Sequence, residues 1–158
     1  MFPDYVNVDI FDYAGDMPYQ KGDIRKLPFA DNSCDEVFTC HVVEHFWPWE
    51  LPEILEEWRR VLKPGGQIVT ECPNLGGAAF LFLQALAEGQ QGVVAAMMNA
   101  FYGDPAPQFR HIEQRHKWGY TPESLAQVLV DAGFTNPRQV PAQFKMREPR
   151  DMRIVADK

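Results

Sequence analysis

The chain has 158 residues, 46% of them hydrophobic, and a formal net charge of −7 at neutral pH. That length supports one domain, residues 1–158, with a real core, and an acidic balance without a basic block argues against general nucleic-acid binding. No apolar run reaches the roughly eighteen residues of a membrane span, no secretory leader follows Met1, and Cys34, Cys40 and Cys72 lack CxxC spacing, so free thiols in a reducing cytoplasm are expected.

Tyr5 to Ile10 alternates as a strand and carries an acidic residue near its end. Asp9 there can accept both hydroxyls of a ribose in a nucleotide-binding sheet, or simply cap a turn into Phe11-Asp12. Residues 12–22 hold Asp, Gly, Pro and Lys without helical periodicity and read as a loop. At the crest of the next loop, Asp23 could accept from an exocyclic amino group while Ile24 packs on the ring of an adenine. Asp35 to Cys40 is nearly continuously apolar or β-prone, which fits a central strand covered on both faces.

His41-Val42-Val43-Glu44-His45 follows at the edge where open α/β sheets bind ligands. The HxxEH pattern also matches an inverted zinc-protease signature, but that needs a continuous helix, and here a strand precedes and Pro48 follows. Metal is therefore not expected. The histidines either bond to loop backbone or move protons at the reacting end of a ligand.

Leu51, Ile54, Leu55, Trp58 and Leu62 recur at helical spacing and predict a sheet-covering helix. Lys63-Pro64-Gly65-Gly66 ends it in a tight reversal to a second strand, Gln67 to Cys72. Two strands joined by such a helix form a parallel βαβ unit, hence an open α/β sheet. From Leu75 to Tyr102 the composition becomes Ala, Leu, Phe, Met and Gln, broken by Gly89 and Gly92 into two short helices, followed by an extended loop over 103–117. This 75–117 insert over the sheet edge suits core or dimer contacts, or a lid. His111 and His116 lack the spacing of a helical metal pair. Thr121-Pro122-Glu123 starts a further helix that Gly133 ends. After a turn at Asn136-Pro137, strands are predicted over 138–144 and 152–156, with Arg147 to Asp151 at a hairpin tip.

LPFADNSCDEV, HVVEHF, EEWRRVLKPGGQIVTECPN and HKWGYTPESLAQVLVDAGF together resemble the class I S-adenosylmethionine-dependent methyltransferases, most closely the small-molecule group of ubiquinone and menaquinone biosynthesis type. The resemblance implies a doubly wound, mostly parallel Rossmann-like sheet with a C-terminal antiparallel hairpin. It implies S-adenosylmethionine as cofactor, with Asp9 and Ile10 at its ribose, Asp23 and Ile24 at its adenine, and His41 near the methionine part. His41, His45 and Glu44 are the catalytic candidates, and Trp118 and Tyr120 could wall an acceptor site. The family's first strand and glycine-rich loop should lie just before Tyr5, where only four residues stand. The expectation is an N-terminally truncated sheet, from either an internal start or a shortened relative that rearranges or forms a homodimer. A methyltransferase for a small-molecule acceptor is the leading reading. A catalytically silent binding or assembly module is the alternative, and a zinc hydrolase built on HVVEH a third.

Overall fold

A computed structural model describes residues 4–10, 19–106, 111–144 and 148–158. A short strand β1 (Asn7–Asp9) pairs in parallel with β2 (Tyr19–Lys21), so the stretch read as a loop over 12–22 contains a strand. Residues 11–18, including the Phe11-Asp12 turn, lie outside the described residues. β3 (Cys34–Cys40) leads through a 3-10 turn at Val43–His45 to helix α1 (Leu51–Val61) and strand β4 (Leu62–Pro73), and β3 and β4 are parallel. The unit forms as the pattern predicts, because Leu51, Ile54, Leu55, Trp58 and Val61 make one buried stripe along α1. Leu62, expected to end the helix, opens β4 instead.

The Pro-Gly-Gly reversal lies inside that strand. Cys34 pairs with Leu62 and Glu36 with Gln67, so Lys63 to Gly66 bulge out opposite Asp35. Gly65 has φ +79°, and a Cβ on Gly66 would stand 2.8 Å from the Asp35 carbonyl oxygen, so each glycine has its own reason to be there.

The chain continues through α2 (Leu75–Ala87), α3 (Gln91–Tyr102), a 3-10 turn at Ile112–Gln114, α4 (Pro122–Asp131), β5 (Thr135–Val140) and β6 (Asp151–Asp157). β6 runs antiparallel to β4 and β5 antiparallel to β6, giving a four-stranded sheet in the order β3-β4-β6-β5 beside the two-stranded β1-β2 sheet. The antiparallel C-terminal hairpin is as expected, but β5 starts earlier. Asn136-Pro137, read as a turn, is an irregularity within β5: Asn136 has φ +50° and Pro137 offers no N–H. An edge strand tolerates both. Arg147 and Pro107 lie outside the described residues.

The main core joins α1 and α4 to the sheet through residues such as Leu55, Trp58, Ile68, Leu125, Leu129 and Ile154. α2 and α3 pack on each other through a smaller cluster around Ala78, Met97 and Ala100. Phe80 and Leu83 of α2 are about two-thirds exposed, at 63% and 65%. No helix among the described residues is long and apolar enough to cross a membrane.

The first turn of α2 lies against the segment entering β6. A Cβ on Gly77 would come within 1.8 Å of the Pro149 carbonyl oxygen, whereas one on the adjacent Gly76 would meet nothing nearer than 3.5 Å. Gly77→Ala should therefore destabilise the protein by about 1–3 kcal/mol or more through overpacking, and Gly76→Ala should be neutral or stabilising by up to about 1 kcal/mol. Urea melts of the two variants check this pair; equal effects would refute the packing account.

Candidate active site

The carboxyl ends of β1 and β3 converge on one cavity of about 190 Å³. Asp9, Ile10, Asp23, Ile24, His41 and His45 all line it, so residues spread over 37 positions of sequence meet at one place. His41 sits one residue past β3 with φ +54°, a left-handed conformation that is uncommon for a residue with a side chain. Its N–H donates to the Glu71 carbonyl of β4 at 2.7 Å, which holds the backbone in that turn.

The loop carrying Asp23 and Ile24 is held from below by α1. The Trp58 indole N–H donates to the Ile24 carbonyl at 3.0 Å, the Glu57 carboxylate accepts the Leu27 N–H at 2.7 Å, and Arg60 donates to the Leu27 carbonyl. Asp23 staples its own turn by accepting the Arg25 N–H at 2.9 Å. Sequence periodicity reads α1 only as a sheet cover; its polar contacts upward to this loop depend on the tertiary arrangement. Also missed were Arg25, Glu113, Gln114 and Lys117, which line the same cavity. Arg25 and Lys117 both approach the Phe46 ring and both pair with Glu50, at 3.4 and 3.6 Å.

Behind the cavity lies a buried carboxylate. Glu44 is 2% exposed, and neither side-chain oxygen has a hydrogen-bond donor of good geometry among the described residues. His41 Nδ1 approaches Oε1 to 3.2 Å at a poor angle, and His116 Nε2 lies 3.9 Å from the same oxygen. Burial pushes the Glu44 carboxyl up, but His41, His45 and His116 outweigh it and hold the group below the usual glutamate range, so it is ionised. Burial in turn pushes the His116 imidazole down, against the opposite pull of Glu44. On its other side His41 Nε2 faces the buried Asp151 carboxylate at 3.8 Å, which is bound by Arg150 at 2.7 Å. His116 comes into this cluster because the Glu44 carbonyl accepts the N–H groups of Lys117 and Trp118.

Tyr120 lies in the main core, and burial raises its hydroxyl to about 12. Trp118 is half exposed. Neither lines the cavity. A second, larger cleft of about 650 Å³ opens between β1 and β3, and it shares Val8, Asp9, Ile24 and Val42 with the first.

Residues 5–70 match the family model of a methyltransferase domain. A demethylmenaquinone methyltransferase from Listeria welshimeri is 28% identical over 125 residues, which is 75% of this chain and 49% of that protein. A malonyl-[acyl-carrier protein] O-methyltransferase from Erwinia pyrifoliae is 49% identical over 51 residues, 32% of this chain and 19% of that one. The chain thus matches less than half the length of either relative. In fold it is similar to a SAM-dependent methyltransferase from Archaeoglobus fulgidus, with a TM-score of 0.66 and 22% identity over 97% of this chain and 75% of that one. Residues 5–70 thus carry the pattern of a methyltransferase domain, and the chain has the fold of SAM-dependent methyltransferases. The Rossmann-like α/β fold expected from the sequence is the fold observed, and S-adenosylmethionine is the cofactor of the methyltransferases that share it.

The staple beneath the Asp23 loop makes this part of the methyltransferase fold sensitive to acid. The Arg60 guanidinium bonded to Glu57 holds that carboxyl below the ordinary 4.5, against burial and with help from the Leu27 N–H. A depressed folded-state value contributes stability above the unfolded value, and that contribution disappears as pH falls through the folded one. Glu57→Gln should cost about 1.5–3 kcal/mol at pH 7, the range for hydrogen bonds to a charged group, with the difference shrinking below about pH 4. Thermal melts of both proteins across that range test this; a pH-independent difference would show that the charge is not responsible.

Proposed function

We propose that the chain binds S-adenosylmethionine in the cavity at the ends of β1 and β3 and catalyses methyl transfer to a small-molecule acceptor. The observation that carries this reading is the convergence of Asp9, Asp23, Ile24 and His41 on one cavity. These residues suit the cofactor's parts: a carboxylate for the ribose hydroxyls, a second carboxylate with an apolar neighbour for the adenine, and an imidazole at the strand end. The cavity of about 190 Å³ is smaller than the roughly 300–1,000 Å³ usual for small-molecule sites, so the ligand would extend past the four shared residues into the larger cleft.

When bound, the cofactor supplies a methyl group on a positively charged sulfur. The protein's part is alignment and, for an oxygen, nitrogen or acidic carbon acceptor, removal of one proton. Glu44 at 3.2 Å and Asp151 at 3.8 Å, one on each ring nitrogen, fix the His41 imidazole at the strand end as a positioning group. The relatives named for demethylmenaquinone and for malonyl-[acyl-carrier protein] support a quinone-type or a malonyl-type acceptor.

Titration calorimetry of this chain with S-adenosylhomocysteine tests the reading. Saturable binding is expected at about micromolar Kd, weakened at least tenfold, or about 1.4 kcal/mol, in Asp9→Ala and in Asp23→Ala. No binding to the wild type up to about millimolar ligand would overturn the proposal. Unaltered binding in both variants would move the cofactor elsewhere.

A further inference from the structure

Glu44, His45 and His116 each present a ligand atom within 4.8 Å of the other two. We propose that these three residues form a binding site for a divalent transition-metal ion, next to the cavity and independent of the cofactor. This set differs from the HxxEH pairing of His41 with His45: the third ligand comes from a segment 71 residues beyond His45.

The hydrogen bonds behind the imidazoles carry the argument. His45 Nδ1 lies 3.2 Å from the Arg115 carbonyl, and His116 Nδ1 lies 2.9 Å from the Ala100 carbonyl. A carbonyl oxygen only accepts, so in both rings Nδ1 holds the proton, and Nε2 of the neutral ring presents a lone pair. Backbone carbonyls orient metal-binding histidines in this way, fixing the tautomer and the ring plane. The rings stand edge to face at 75°, with centroids 5.0 Å apart.

His116 Nε2 lies 3.9 Å from Glu44 Oε1, too far for a hydrogen bond, inside a region where neither Glu44 oxygen has a donor among the described residues. With Nδ1 holding the proton, the Nε2 lone pair faces that oxygen, and a cation between them turns the contact into an attraction. Bonds of about 2.0–2.2 Å around a tetrahedral ion place ligands on the order of 3.4 Å apart, so modest side-chain rotation closes the present spread. Two imidazoles and one carboxylate suit zinc, iron(II) or cobalt rather than calcium or magnesium. His45 also lines the cavity, so the remaining coordination positions open toward it and could take water or an oxygen of a bound small molecule.

The test uses the full chain, dialysed against a chelator and titrated calorimetrically with zinc chloride in the absence of cofactor. One ion per chain is expected at a Kd of about micromolar or tighter, weakened at least tenfold in His116→Ala, His45→Ala and Glu44→Gln, and retained in His111→Ala. If a buried-site variant fails to fold by circular dichroism, the cobalt(II) spectrum of the wild type decides instead. Ligand-field bands without a thiolate charge-transfer band support nitrogen and oxygen ligation, whereas a thiolate band would assign the ion to a cysteine and refute the site. No saturable zinc binding up to about 1 mM, or equal binding in all three variants, would also overturn the proposal.

Discussion

The organisation of this site depends on placing one carboxylate where water cannot reach it. Sealing Glu44 beneath the strand ends costs free energy that has to be recovered from whatever faces it, and His41 at 3.2 Å and His116 at 3.9 Å stand there. The arrangement is held through the backbone as much as through charge. The Glu44 carbonyl accepts two successive N–H groups, from Lys117 at 2.8 Å and Trp118 at 3.2 Å, which ties the chain after α3 to the 3-10 turn after β3. His116 follows because its neighbour is anchored. The same anchoring brings Lys117 over Phe46 and beside Glu50, so the wall of the cavity and the buried cluster behind it share one attachment.

α1 performs a second task on the same scaffold. Its apolar stripe fills the core, while Glu57, Trp58 and Arg60 reach past the sheet edge to hold residues 24–27. A loop at a strand end has few ladder bonds of its own, and its backbone groups must find partners. Here they find them on a rigid helix, which fixes Asp23 and Ile24 relative to Asp9 more firmly than the loop's own turn could.

The βαβ unit was legible because periodicity is a local property, and the stripe on α1 appears in the structure. β3, read as central and covered on both faces, is instead the end strand of the four-stranded sheet, with only Thr39 buried in it. Asp9, Asp23, Ile24 and His41 were legible as a set through their place at loop and strand ends, and they do meet. What the sequence hid is what long-range pairing decides. His116 looked like an isolated loop histidine because its partners, Glu44 and the Ala100 carbonyl, lie 72 and 16 positions away. The Asn136-Pro137 turn and the loop at Tyr19 were misread for a related reason. Local turn chemistry was overridden by a neighbouring strand, β6 in one case and β1 in the other.

The C-terminal hairpin also reaches the site. β6 pairs antiparallel with β4 in a register that sets Asp151 opposite Pro73 and Met152 opposite Cys72, at the end of β4 where Glu71 holds the His41 backbone. Side chains alternate faces along a strand, so a slip of one residue would exchange the inward positions of Asp151 and Met152 and leave His41 Nε2 facing a thioether. The register is secured away from the site. Gln67 donates to Asp157 at the far end of the pair, and the Lys158 N–H donates to the Gly66 carbonyl in the bulge of β4. The bulge therefore acts at a distance. It lets the start of β4 cover α1 while shifting the rest of the strand into the register that β6 reads, and through β6 it sets which carboxylate stands behind the imidazole.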